Sequence, residues 1–157
     1  MKRFLSFLAI LLTFTFGVFA KGGSDKMPQY DITGAGSGTE GTVLVKVYVY
    51  GVKVGDEDFK RAAVHGVVFR GCEGNESGAN QPAMAPPSAE SENAAFCKAF
   101  FAKDGACQGF ASIVEGSYDS VKTKKGYKQS AILQVRKSAL RKELEKAGVV
   151  RSLSSGF

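Results

Sequence analysis

This sequence predicts an α+β fold in the order β-α-α-β-β-α, a three-stranded, mainly antiparallel sheet with helices packed on one face. Three observations carry that expectation. Val43, Val45, Val47 and Val49 alternate with Leu44, Lys46, Tyr48 and Tyr50, the period of a half-buried strand. Phe59, Ala63 and Val67 stand at i, i+4 and i+8, the stripe of an amphipathic helix. Residues 111–148 then read as a hairpin that runs into a capped helix closed by glycine.

The first twenty residues precede the domain. Lys2 and Arg3 give a basic start, an apolar run spans Phe4–Phe19, and Val18 with Ala20 fits the small-residue rule for signal-peptide cleavage. The run is shorter than the ~20 apolar residues of a membrane span. Residues 1–20 are therefore expected to be a signal peptide, with no transmembrane span once it is removed and with a periplasmic or secreted destination. Residues 21–41, rich in Gly and Ser, read as a flexible leader. Within them Gly36-Ser37-Gly38-Thr39-Glu40-Gly41 has the letters of a dinucleotide loop. Such a loop must follow a strand and open a helix, and here a strand comes next, so the match is spurious.

Residues 42–153 form the single expected domain. After the first strand, Gly51 and Gly55 bracket a turn, and Asp56 is a fair cap for a helix with Glu57 and Asp58 in its first turn. Gly66 weakens that helix and Gly71 ends it; His65, off the main stripe, is expected to be partly exposed. The stretch 71–87 contains Pro82, Pro86 and Pro87 and reads as a loop of about fifteen residues, well beyond the usual four to six. Its Asn75-Glu76-Ser77 triplet has the letters of a glycosylation site, which means little outside a eukaryotic secretory context. Ser88 caps a second helix, with Ala95, Phe96, Ala99 and Phe100 as its stripe and Phe101 widening it. One strand begins at Ala111 and continues through Tyr118 to Val121. It turns at Lys124-Lys125-Gly126 and returns with Tyr127, Ala131, Leu133 and Val135 facing inward. Ser138 caps the last helix, Leu140, Leu144 and Ala147 form its stripe, Arg141 and Glu145 pair at i, i+4, and Gly148 closes it. Residues 154–157 are a tail.

Charge is unevenly spread. Residues 122–151 carry ten basic side chains against Glu143 and Glu145, a net of +8, whereas residues 21–121 carry nine basic and thirteen acidic ones, a net of −4. Lys122, Lys124, Lys125, Lys128, Arg136, Lys137 and Arg141 are the candidate basic face. Its partner would be an envelope protein, an anionic glycan or a lipid headgroup; an exported chain of this kind is a poor match for nucleic acid. The odd count of cysteines, Cys72, Cys97 and Cys107, allows at most one intramolecular disulfide. With no Cys-x-x-Cys and a single histidine, the sequence offers no metal site, and no cofactor is expected.

Catalytic signatures are missing. There is no Gly-x-Ser-x-Gly elbow, no His-Glu-x-x-His and no phosphate-binding loop with lysine. A thiol-dependent enzyme would need one of the three cysteines within hydrogen-bond reach of His65, the only imidazole base. Paired carboxylates among Glu73, Glu76, Glu90 and Glu92 have an ordinary explanation on loops and helix starts.

The segment Gly126-Tyr-Lys-Gln-Ser-Ala-Ile-Leu-Gln-Val-Arg-Lys-Ser-Ala-Leu-Arg-Lys-Glu-Leu, preceded by Ala111-Ser-Ile-Val-Glu-Gly, resembles a group of exported bacterial envelope domains. These are the twenty-kilodalton antigenic lipoprotein family and the N-terminal domain of the periplasmic flagellar-assembly T protein. The likeness covers the pattern of about residues 42–150 and consists of apolar spacing and turn residues, with no site to carry over. It implies an envelope or assembly role without known catalysis. No cysteine follows the apolar run at the predicted mature N-terminus, so a lipid anchor has no attachment atom. The expectation is thus an exported, non-enzymatic envelope protein that binds a protein or an anionic envelope component. The alternatives are a structural subunit of a surface assembly and, behind both, a thiol-dependent enzyme.

Overall fold

The computed structural model describes residues 26–74, 80–124 and 126–152. The expected signal peptide, the Asn75 triplet, Lys125 and the expected tail at 154–157 therefore lie outside the described residues. Helices and an antiparallel sheet make the α+β class plain, but the sheet has five strands where three were expected. Its elements are β1 (Tyr30–Ser37), β2 (Val43–Tyr50), β3 (Ala111–Ile113), β4 (Asp119–Thr123) and β5 (Gly126–Val135). The path runs β1-β2-β5-β3, and β4 also pairs with β5. β2 flanks one side of β5, while β3 and β4 take successive lengths of the other side.

Two corrections explain the extra strands. The first is β1, which lies inside the span expected to be a leader. Its inward positions, opposite Val49, Val47 and Val45, are Tyr30, Ile32 and Gly34, so only two apolar side chains advertise it. A bulge between Gly34 and Gly36, with Gly36 at φ 129°, interrupts the alternation further. The second is the strand expected to run unbroken from Ala111 through Tyr118 to Val121, which breaks between β3 and β4. Gly116 takes φ 74° there, and the Ser117 hydroxyl accepts a hydrogen bond from the Ile132 amide at 3.0 Å. A side chain thus replaces one rung of the ladder.

The valine alternation in β2 behaves as its period requires. Val43, Val45, Val47 and Val49 are buried beside Ala131, Leu133 and Val135 of β5. Tyr127 shares the inward parity but stays exposed, because the hairpin end of β5 runs past the core.

Helix α1 (Asp56–His65) packs against β2, β5 and β3 and continues as a π-helical turn, Gly66–Arg70. Every residue from Arg61 to Phe69 is buried, so this segment is a central helix and not a one-sided one. Gly66 has ordinary helical angles, and its role is space: a Cβ there would sit 2.7 Å from Ile32 Cδ1. Gly71, at φ 68°, ends the turn as expected.

The second expected helix is divided at Asn93 into α2 (Ser88–Glu92) and α3 (Ala94–Phe100). The inward stripe of α3, with Phe101 just beyond the helix, is at i, i+3 and i+4 from Cys97, and not the expected one. Ala95 and Ala99 are exposed, Cys97, Phe100 and Phe101 are buried, and Phe96 stacks on Phe100 at 5.1 Å. A 3-10 turn, Ala106–Phe110, leads into β3. Helix α4 (Lys137–Lys146) buries Leu140 and Leu144, pairs Arg141 with Glu145 at 2.9 Å, and is followed by Gly148 at φ 75° with Val149 and Val150 buried behind it. Among the described residues no helix is long and apolar enough to cross a membrane.

Candidate functional site

The hairpin β4–β5 gathers Lys122, Lys124 and Lys128. Lys122 lies opposite Tyr127 and Lys128 opposite Val121, so the two lysines point to opposite faces of the ribbon. All five residues of β4 are exposed, and Tyr118, Val121 and Tyr127 show 50, 55 and 41% of their surface to solvent. Tyr118, just before β4, is tied to α1, its hydroxyl donating to Asp56 Oδ1 at 2.6 Å and its ring meeting Phe59 edge-on at 5.8 Å, so Val121 and Tyr127 are the large side chains that stand among the ammonium groups of the ribbon.

Lys128 also faces the open side of the sheet. Its ammonium lies 4.3 Å from the centroid of the Tyr48 ring and 5.6 Å from that of Tyr50, and Lys46 approaches Tyr48 at 5.3 Å. The Tyr50 hydroxyl donates to Asp31 Oδ2 at 2.6 Å, and that bond is the main cause of the raised Tyr50 pKa. This face is polar and aromatic with charges of both signs; its tyrosines were legible from β2, whereas Asp31 was not, since β1 was not foreseen.

Arg136, Lys137 and Arg141 are placed elsewhere. Arg136 is eight residues along β5 from Lys128, about 27 Å at strand rise. Its guanidinium donates to the Gly109 carbonyl and lies against the Phe110 ring. Lys137 Nζ donates to Gln81 Oε1 at 2.8 Å, and Arg141 is held by Glu145. The basic run in the sequence is therefore two groups in space, one at the hairpin and one tied to neighbouring loops and α4.

The three cysteines are free and buried on separate elements. Cys72 follows the π-helical turn and exchanges backbone hydrogen bonds with Gln81, Cys97 is in α3, and Cys107 is in the 3-10 turn. No disulfide joins any two of them. Burial raises all three thiol pKa values, that of Cys107 to about 11, which lowers the fraction of nucleophilic thiolate near neutrality.

His65 corrects another expectation, for it is buried and not partly exposed. Its Nδ1 lies 2.6 Å from the Tyr30 hydroxyl and its Nε2 3.1 Å from Glu90 Oε1, between the rings of Phe69 and Phe101. Desolvation lowers its pKa, against the opposing pull of Glu90. One protonation pattern satisfies every group: the Tyr30 O–H donates to Nδ1, and Nε2–H donates to the Glu90 carboxylate. The Arg70 guanidinium lies 4.2 Å from the Tyr30 ring centroid and donates to the Tyr30 carbonyl. This chain ties β1, α1 and α2 together. Burial pushes the Tyr30 pKa up, which keeps its hydroxyl protonated as the donor. Sequence separations of 35 and 25 residues left no local signal for this junction.

Among the described residues no group of three or more His, Cys, Asp or Glu side chains is placed to hold a metal ion. Comparison with known protein families, curated proteins and solved structures finds no match.

Proposed function

We propose that this chain is an exported, non-enzymatic envelope protein whose β4–β5 hairpin engages an anionic component of the cell envelope. One observation carries the reading: the exposed strand β4, its turn and the start of β5 place Val121 and Tyr127 among Lys122, Lys124 and Lys128. Each lysine near an anionic surface contributes about 1 kcal/mol of attraction, and the Tyr and Val side chains suit the boundary between apolar and aqueous phases. The signal-peptide pattern of residues 1–20 and the resemblance to envelope domains support the same reading.

The shared chemistry is negative charge, presented by a lipid headgroup or by a glycan. Sedimentation of the purified protein with anionic vesicles, neutral vesicles and an anionic envelope polysaccharide separates the two sources. Retention by one anionic material that fades with added salt is the expected result, because exposed charges are screened over about 8–10 Å at moderate ionic strength. Retention on neutral vesicles equal to that on anionic ones would refute the reading. Export has its own test. Substituting arginine for Leu11 and Leu12 should hold the precursor in the cytoplasm, and intact mass of the wild-type product should place Lys21 first. A product that still begins at Met1 would contradict it.

A second reading, a structural subunit of a surface assembly, draws on the outer edge of β4. That strand pairs with β5, and its residues are exposed. Lys122 and Asp119 on a five-residue strand are the devices by which edges avoid pairing, so the hairpin reading is preferred. Light scattering that finds a concentration-dependent oligomer would reverse that order. A thiol-dependent enzyme ranks third, since burial raises the thiol pKa values.

A further inference from the structure

We propose that one end of the sheet, where the turn between β2 and α1 lies beside the β4–β5 hairpin, docks on an anionic lipid bilayer with Val52 and Tyr127 entering the headgroup boundary. This docking rests on the reading of the hairpin as an anion-binding element and commits it to the lipid. Two segments distant in sequence meet there, since the Gly51 N–H donates to the Tyr127 carbonyl at 3.1 Å. Val52 is the next residue, and it shows 74% of its surface to solvent, more than any other large apolar side chain among the described residues. Turns usually carry glycine or polar residues at such positions. Of the five large apolar side chains exposed among the described residues, Val52, Val121 and Tyr127 are gathered at this end. Single exposed apolar side chains are ordinary, but a group of them rimmed by charge marks an interaction surface.

The charge at this end has one sign. Residues 51–55 and 121–128 contain no Asp or Glu. Lys53, Lys122, Lys124 and Lys128 stand there, and none of the four forms an ion pair among the described residues. Acids lie further back. Asp31 and Asp119 share one rung of the sheet, through Tyr48 and Ser130, and Ser130 is three residues or about 10 Å along β5 from Tyr127. At the start of α1, Asp56 accepts from the Tyr118 hydroxyl, Glu57 pairs with Lys103 at 3.6 Å and Asp58 with Arg61 at 3.7 Å. A setback of that size is one screening length, about 8–10 Å, so a surface that touches the tip meets the lysines before the carboxylates. Each lysine at an anionic bilayer raises affinity about fivefold. A projecting valine gains from an apolar phase, which a bilayer offers and a glycan does not. Tyrosine suits the same boundary, with its ring buried and its hydroxyl wet.

The chain contains no tryptophan, so Val52→Trp provides a single fluorescent reporter at the tip. Mixed with phosphatidylglycerol vesicles, that variant should shift its emission to the blue and be quenched by brominated acyl chains. Lys142→Trp, on the exposed side of α4, should do neither with the same vesicles. Val52→Ser and Tyr127→Ser should each weaken retention on these vesicles about three- to tenfold, the gain of a side chain partly withdrawn from water. Both positions are exposed, so the urea midpoints should stay close to that of wild type. Retention on phosphatidylglycerol vesicles with no blue shift at position 52 and no loss from either serine would overturn the proposal and leave the hairpin binding by charge alone. Retention on an anionic polysaccharide but not on the vesicles would also overturn it, while the reading of the hairpin stands. Retention on neither would overturn both.

Discussion

The two ends of β5 have the same backbone and opposite surroundings. At its C-terminal end Ala131, Leu133 and Val135 are buried between β2 and β3 under α1. At its N-terminal end Gly126, Tyr127 and Lys128 pair with a β4 whose residues are all exposed. One strand is therefore anchored where it is apolar and left open where it is basic. A change at the anchored end should cost stability, and a change at the open end should alter contacts with partners and little else.

The largest effect is expected where α4 closes the core. Leu144→Ala should destabilise by about 2–5 kcal/mol in a urea melt, because the side chain is wholly buried, and Leu133→Ala should fall in the same range. Lys142→Ala, on the exposed side of the same helix, should stay within about 0.5 kcal/mol. Equal small losses from all three would mean that β5 and α4 do not share a core.

The next effect belongs to the junction that ties β1 to the helices. Tyr30→Phe removes the donor to His65 Nδ1 and leaves a buried acceptor without it, so a loss of about 1–3 kcal/mol is expected. The pH dependence follows from the same group. The folded state holds His65 below its unfolded pKa of about 6.5, so over that interval the unfolded chain binds the extra proton. Stability from this residue is therefore complete above pH about 6.5 and falls as the pH drops through the lowered folded value. A His65→Gln variant should lose that part of the acid dependence. If urea midpoints of wild type and variant run parallel between pH 7 and 5, His65 is not held neutral by the fold.

These regions also differ in how legible they were. Four valines at period two in β2, and Leu140 and Leu144 in α4, signal their burial because one local period decides one face. β1 gives no such signal: Gly34 stands where an apolar residue would mark the face, and its stability comes from pairing with β2 and from close approach to Gly66. The inward face of α3 was misread for a related reason. Ala95, Phe96, Ala99 and Phe100 make one helical stripe and Cys97, Phe100 and Phe101 another, and tertiary packing selects the second. The basic run showed the right residues but not their separation, because the extended strand that ends at Val135 carries Arg136 eight residues away from Lys128. The junction of Tyr30, His65 and Glu90 was wholly tertiary.

A smaller effect sharpens the comparison at α4. Arg141→Ala removes a pair at i, i+4 and should cost about 0.3–0.5 kcal/mol, reduced further by salt, in the same urea assay. A loss above about 1.5 kcal/mol would show that Arg141 serves the core through more than its pair with Glu145.

The most direct test of the account changes the open end alone. Lys122, Lys124, Lys125 and Lys128 replaced together by glutamine should cost no more than about 1 kcal/mol in a urea melt, the size of the contact of Lys128 with the Tyr48 ring, since Lys122 and Lys124 are exposed. The same protein should lose most of its retention on the anionic envelope material that holds wild type, and should lose the salt dependence with it. Retention unchanged by all four substitutions would contradict the account and leave the lysines as a solvated surface.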